Sequence, residues 1–135
     1  MRPDTHPRAI LLVDDDPSIR KLVKKLLEET GYTVIVAIDG EQGLACFLQN
    51  QTAIALVLTD VLMPRMDGRA LADRILELDR TLPIVFMSGT QSADRGYGWV
   101  PKPFRTSDLL EKVGAALQSR ALAGRTRQTQ STSLS

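Results

Sequence analysis

Cysteine is nearly absent from this chain, and the single Cys46 cannot form an internal disulfide. It sits beside Phe47 in a helical apolar pattern, which reads as a small buried side chain rather than a reactive thiol. An excess of charge of either sign is missing as well. With 17 basic and 16 acidic residues the net charge is +1, which gives no electrostatic reason to expect nucleic acid as the main partner. No apolar run approaches the roughly 20 residues that a membrane helix needs. The opening MRPDTHPR has no hydrophobic stretch before a cleavage site, so it does not read as a signal peptide. The expectation is a soluble, cytoplasmic protein without internal repeats.

What is present suffices for one domain. The 135 residues, 43% of them apolar, can bury one core but not two. Ala9–Asp14 (AILLVD) is a short apolar run ending abruptly in acid, which suits a strand buried on both faces. Asp16-Pro17 reads as a helix cap followed by proline at the first helical position. Ile19, Leu22, Val23, Leu26 and Leu27 then repeat at helical spacing, and Gly31 supplies a stop. Thr33–Ile38 is β-branched and strand-like, and Leu44, Phe47 and Leu48 suggest a second amphipathic helix. Ile54–Thr59 is another buried strand, ending at Asp60. A loop with Pro64 and Gly68 leads to a helix carrying Leu71, Ile75 and Leu78. Ile84–Ser88 is a fourth strand and Trp99–Pro101 a short fifth. A last helix carries Leu109, Leu110, Val113 and Leu117.

Alternating strands and helices require crossover connections, hence a parallel sheet covered on both faces. The predicted fold class is α/β, a doubly wound five-stranded parallel sheet. The predicted organisation is a tail at 1–8, a domain at 9–121 and a disordered polar tail at 122–135, where GRTRQTQSTSLS carries little apolar content.

In open parallel sheets ligands collect outside the carboxyl ends of the strands. The polar residues of this chain fall at those ends: Asp14, Asp15 and Asp16 after the first strand, Asp60 after the third, Ser88 after the fourth, Lys102 after the fifth. Several carboxylates without a counterion would raise one another's pKa, and a hard divalent cation such as Mg²⁺ removes that difficulty. Carboxylates, Mg²⁺, a lysine and a hydroxyl suit phosphoryl transfer, where catalysis is largely positioning and charge neutralisation. Asp60, alone at the end of a central strand, is best placed to be the nucleophile. Asp16 is accounted for by the helix cap and receives no catalytic role. Taken singly, each of these residues is more simply a turn, cap or surface residue. Their joint placement at corresponding strand ends points to chemistry.

LLVDDDPSIR, LVLTDVLMPRMDG, IVFMSG and PKPF stand in the order and context of the signatures of response-regulator receiver domains. The chain resembles that family from about Ala9 to Leu117, and IVFMSG is similar to receivers attached to hybrid histidine kinases. The resemblance implies a flavodoxin-like sheet of order 2-1-3-4-5 and Asp60 as phosphoacceptor. It implies Mg²⁺ bound by Asp15, Asp60 and the backbone carbonyl of Leu62, with Asp14 acting mainly through water. Ser88 would bond a phosphoryl oxygen and serve the switch, Lys102 would contact the phosphoryl group, and the Lys102–Pro103 peptide would be cis. The implied donor is a histidine kinase or histidine phosphotransfer protein.

The chain departs from the family between Ser88 and Lys102, which are closer in sequence than the family usually places them. GTQSADRGYGWVP has three glycines, a proline and no helical apolar stripe. The prediction is that the family's helix α4, between the fourth and fifth strands, is missing or reduced to a turn. Output through the face it would share with the last helix is then put in doubt. Trp99 occupies the position of the family's switch aromatic. Two readings of it stand, a switch residue or a core tryptophan filling the gap left by the lost helix. Tyr97 is nearby but off register. Leu62 and Thr90 fall at positions that tune phosphate lifetime, and Leu62 cannot hydrogen-bond an attacking water through its side chain.

The tail after Ala121 offers no room for a DNA-binding or enzymatic output domain. The expectation is a stand-alone receiver or one cut from a larger protein, acting as a phosphorelay intermediate or protein-binding switch rather than a transcription factor. The protein would not be a turnover enzyme, although it would catalyse its own phosphorylation and a slow dephosphorylation. Two alternatives remain open. One is a pseudo-receiver that only docks to a partner. The other is a small phosphatase resembling the haloacid dehalogenase group, whose Asp-x-Asp start Asp14-Asp15-Asp16 superficially fits, though Asp60 and its loop would then go unexplained.

Overall fold

The computed structural model describes residues 9–89 and 98–118. Among the described residues five strands and four helices follow one another in the order β1 (Ala9–Val13), α1 (Pro17–Glu29), β2 (Thr33–Ala37), α2 (Gly40–Gln49), β3 (Ile54–Asp60), α3 (Gly68–Leu78), β4 (Ile84–Ser88), β5 (Gly98–Pro101) and α4 (106–118). The strands form one parallel sheet in the order β2-β1-β3-β4-β5, as the resemblance implied. A helix α4 is thus present, although it is the helix expected after the fifth strand. The predicted loss or reduction of a helix concerned the crossover between β4 and β5, and its residues 90–97, including Thr90 and Tyr97, lie outside the described residues. So do the predicted tails at 1–8 and 122–135.

Why the strands read as unbroken apolar runs is clear from the two sides of the sheet. Alternate residues of a strand point to opposite faces. Leu11, Val13, Val57 and Phe86 meet Phe47 of α2 and Leu71 and Ile75 of α3 on one face. Ile10, Leu12, Leu56, Leu58, Val85 and Met87 meet Val23 and Leu27 of α1 and Leu109 and Val113 of α4 on the other. Both faces are covered, so neither alternate set can be polar. At about 25 cal/mol per Å² of apolar surface removed from water, burying each of the large side chains contributes roughly 1.5–3 kcal/mol.

The helices are narrower in their buried stripe than the sequence suggested. Leu22, Leu48 and Leu78 are about half exposed, although they belong to the apolar patterns of their helices. In α1 the fully buried pair is Val23 and Leu27, four apart and therefore on one side of the helix. Leu22 sits one residue, about 100°, away from that line. Asp16 caps α1, accepting from the N–H groups of Ser18 (2.9 Å) and Ile19 (3.4 Å) with Pro17 at the first turn. Such a cap stabilises a helix by about 0.5–2 kcal/mol.

Candidate functional site

Four strands each bring a reactive side chain to the same edge of the sheet. Asp14 directly follows β1, and its N–H still donates to the Ala37 carbonyl at 3.2 Å, so the ladder fixes its position. Its side chain is fully buried. One carboxylate oxygen accepts from the Asp16 N–H at 2.9 Å and the other from the Lys102 ammonium at 3.0 Å. Arg20, one turn into α1, donates to the Asp14 carbonyl at 2.8 Å and holds the same residue by its backbone.

Asp60 ends β3. Its Oδ1 accepts from the Val61 N–H at 2.8 Å and its Oδ2 lies 3.2 Å from Lys102 Nζ. The backbone behind it is locked from two directions. The Thr59 hydroxyl donates to the Asp60 carbonyl at 2.8 Å, and Gly68 passes so close that a β-carbon there would collide with the same carbonyl oxygen. The Gly68 N–H donates to Val61 O at 2.8 Å, closing the intervening loop. Ser88 ends β4 and is buried; its carbonyl accepts the Lys102 N–H at 3.0 Å, which holds Lys102 beside it. The Lys102–Pro103 peptide is cis.

Lys102 therefore bridges the two carboxylates. Burial raises Asp60 above the usual carboxylate range, the Lys102 charge opposes that rise, and the neighbouring Asp14 reinforces it. For Lys102, burial works against the ammonium form, but the hydrogen bond to Asp14 and the charges of Asp14 and Asp60 carry its pKa above the ordinary lysine value.

Asp15 is exposed, and one carboxylate oxygen each from Asp14, Asp15 and Asp60 lie within 4.8 Å of one another, an arrangement able to hold a metal ion. Three carboxylates against one ammonium leave a formal charge of −2, which one divalent cation would neutralise. Asp14, Asp15, Asp60 and Lys102 are thus brought together, while Asp16 caps α1. The Leu62 side chain is 71% exposed on the loop that follows Asp60. Trp99 lies in register with Phe86 and packs on the α2–α3 side of the sheet, its indole N–H without a hydrogen-bond partner among the described residues.

Several residues around the site carried no local signal in the sequence. Arg20 looks like any solvent-facing helical arginine, and Thr59 like any β-branched strand residue. Asp39 caps α2 through the Gln42 N–H at 2.8 Å and is ion-paired to Arg65 at 2.6 Å, and only the Asp39-Gly40 pair before an apolar helix hinted at it.

A parallel sheet of this order, with an acidic cluster and a lysine at its carboxyl edge, defines a flavodoxin-like, doubly wound domain of the CheY type. The profile of the response regulator receiver domain matches residues 10–114, and the chain belongs to that family of two-component receiver domains. The transcriptional regulatory protein CpxR of Klebsiella pneumoniae is 37% identical over 119 residues, covering 81% of this chain and 49% of that protein. The transcriptional regulatory protein TrcR of Mycobacterium tuberculosis is 31% identical over 125 residues, covering 87% of this chain and 48% of that protein. The chain spans about half the length of these curated relatives. Among solved structures, a response regulator receiver domain protein from Clostridium thermocellum superposes with a TM-score of 0.80 at 27% identity, covering 86% of this chain and 98% of the other. The receiver domain of the hybrid histidine kinase CckA superposes at 0.73 with 35% identity, covering 81% and 98%. No described helix is long and apolar enough to cross a membrane.

Proposed function

We propose that Asp60 accepts a phosphoryl group from a phosphohistidine of a histidine kinase or phosphotransfer protein, and that the phosphorylated domain switches a protein–protein contact. The observation that carries this reading is the contrast between two carboxylates on one lysine. Asp14 is completely enclosed, whereas Asp60 keeps 16% of its side chain open to solvent. Of the two carboxylates that Lys102 bridges, Asp60 is the one that a phosphorus atom presented from outside can meet.

In the transfer, an Asp60 carboxylate oxygen attacks phosphorus in line with the leaving imidazole nitrogen. The O–P bond forms as the N–P bond breaks, and the histidine takes up a proton from water. Lys102 must let go of Asp60 to reach a phosphoryl oxygen, while its contact with Asp14 holds the ammonium in place. The Ser88 hydroxyl, at the end of the neighbouring strand, is assigned to a second phosphoryl oxygen. Asp15, Asp60 and the Leu62 carbonyl would hold Mg²⁺, with Asp14 acting through water. A bound Mg²⁺ neutralises charge on the phosphoryl oxygens. Hard oxygen donors and a formal charge of −2 fit that ion. Trp99 is assigned to the switch together with Ser88. Its buried N–H, unpartnered among the described residues, is a group that a different packing would satisfy.

The acceptor is thus not a turnover enzyme. We assign it to the cytoplasm, with no direct contact to nucleic acid. A phosphatase of the haloacid dehalogenase type would place its nucleophile at Asp14, whose side chain is buried. Incubation with a phosphohistidine donor separates the readings. Transfer of one phosphoryl group per chain supports a receiver, continuous release of phosphate from a generic ester favours the phosphatase, and the absence of both leaves a docking module.

A further inference from the structure

The loop that follows Asp60 is tied to the N-terminal end of α2 by a pair of charges 26 positions apart in sequence. Arg65 Nη1 donates to Asp39 Oδ2 at 2.6 Å, and the Asp39 side chain is only 5% exposed. The other Asp39 oxygen caps α2 through the Gln42 N–H, so the carboxylate is fixed to a rigid helix end before Arg65 reaches it. Arg65 has φ 69°, and the Met66 N–H donates to Pro64 O at 2.9 Å, a γ-turn centred on a left-handed residue. Arg65 is the one non-glycine with positive φ among the described residues, a conformation that side-chain-bearing residues adopt only under constraint. Next to it, Met66 packs on the core and presses its carbonyl and β-carbon against Gly40, leaving no room for a side chain there. The two loops therefore meet at two adjacent points, Arg65 on Asp39 and Met66 on Gly40.

We propose that the Asp39–Arg65 ion pair is a positioning device for the Val61–Asp67 loop and thereby sets how tightly the site holds a divalent cation. The inference rests on the proposed function, since that loop carries the Leu62 carbonyl assigned to Mg²⁺. Neither residue touches the reacting atoms. Their role is to hold a strained turn in the one geometry that aims the loop backbone at the cluster of Asp14, Asp15 and Asp60. The Gln42 N–H hydrogen bond and the Arg65 charge keep Asp39 ionised below the usual carboxylate range, so the pair is charged at neutral pH. Groups that orient metal ligands typically change affinity by about 10–100-fold, and a pair with a largely exposed arginine acts more weakly.

The test is Mg²⁺ titration of the full chain by calorimetry, with urea unfolding of each variant measured in parallel. Arg65→Gln and Asp39→Asn should each weaken Mg²⁺ binding by about three- to tenfold. The double variant should be no worse than the poorer single, because both remove one interaction. Asp39→Asn retains a good helix cap, and Arg65→Lys should recover part of the affinity. Arg65→Gly separates positioning from general stability, since glycine adopts positive φ without strain. It should unfold at a higher midpoint than Arg65→Gln yet bind Mg²⁺ just as weakly. Wild-type affinity in Arg65→Gly, or additive losses in the double variant, would overturn the inference while leaving the proposed function intact. If wild-type protein itself binds no Mg²⁺, the proposed function falls, and this inference with it.

Discussion

Replacing Lys102 with methionine should destabilise the metal-free protein by about 2–3 kcal/mol, and Mg²⁺ should restore most of the loss. Methionine keeps the apolar stem of the side chain and removes only its charge. Without Nζ, which sits 3.0 Å from Asp14 and 3.2 Å from Asp60, the two carboxylates face each other within 4.8 Å. At that separation and an effective dielectric of about 20, their repulsion is about 3.5 kcal/mol. Breaking a buried pair by removing one partner typically costs about 3–5 kcal/mol, and the partial exposure of Lys102 and Asp60 brings this case down to about 2–3 kcal/mol. Urea unfolding in chelator is the assay. With a slope of about 1.5 kcal/mol per M, the midpoint should fall by more than about 1 M. Adding Asp60→Asn to Lys102→Met should regain most of the stability, because the facing negative charge is gone. Lys102→Met protein as stable as wild type in chelator would refute the reasoning. So would an Asp60→Asn second change that fails to help.

Gly68→Ala should cost more than about 2 kcal/mol and abolish phosphoryl acceptance, since its β-carbon would displace the Asp60 carbonyl and with it the nucleophile; thermal unfolding and mass spectrometry read the two losses. Stability in chelator should depend on pH with opposite signs at two carboxylates. Asp39, held below its ordinary 3.8, contributes stability that is present above that value and lost as pH falls through its folded pKa, so Asp39→Asn should flatten the acid limb of the urea midpoints. Asp60, raised by burial, is destabilising once ionised, so stability declines as pH rises from 3.8 through its folded pKa, and Asp60→Asn should remove that decline. The phosphorylated form should lose phosphate over minutes or longer in Mg²⁺, because the exposed Leu62 side chain cannot orient water; a half-life of seconds by phosphate release would contradict this.

Much of this architecture could be read from the chain because it rests on local patterns. Strands buried on both faces must be apolar throughout, so AILLV and IALVL announce a covered parallel sheet, and the acids that end them mark the edge where a ligand can sit. The positions of Asp14 and Asp60 were legible for that reason, and Lys102, after the fifth strand, meets them at 3.0 and 3.2 Å. Helical faces were less legible. A leucine is compatible with a core or a rim, and the half-exposed Leu22, Leu48 and Leu78 show that a periodic pattern overstates the width of a buried stripe. The contacts that hold the site from behind had no local signature at all. Arg20 on the Asp14 carbonyl and Arg65 on Asp39 are long-side-chain contacts that depend on how elements stack.

Intact mass after incubation with acetyl phosphate, with and without Mg²⁺, on the wild type and on Asp60→Asn, tests the central claim most directly. One added phosphoryl group that requires both Mg²⁺ and Asp60 is the result this account predicts. No adduct on the wild type, or an adduct that persists in Asp60→Asn, would contradict it.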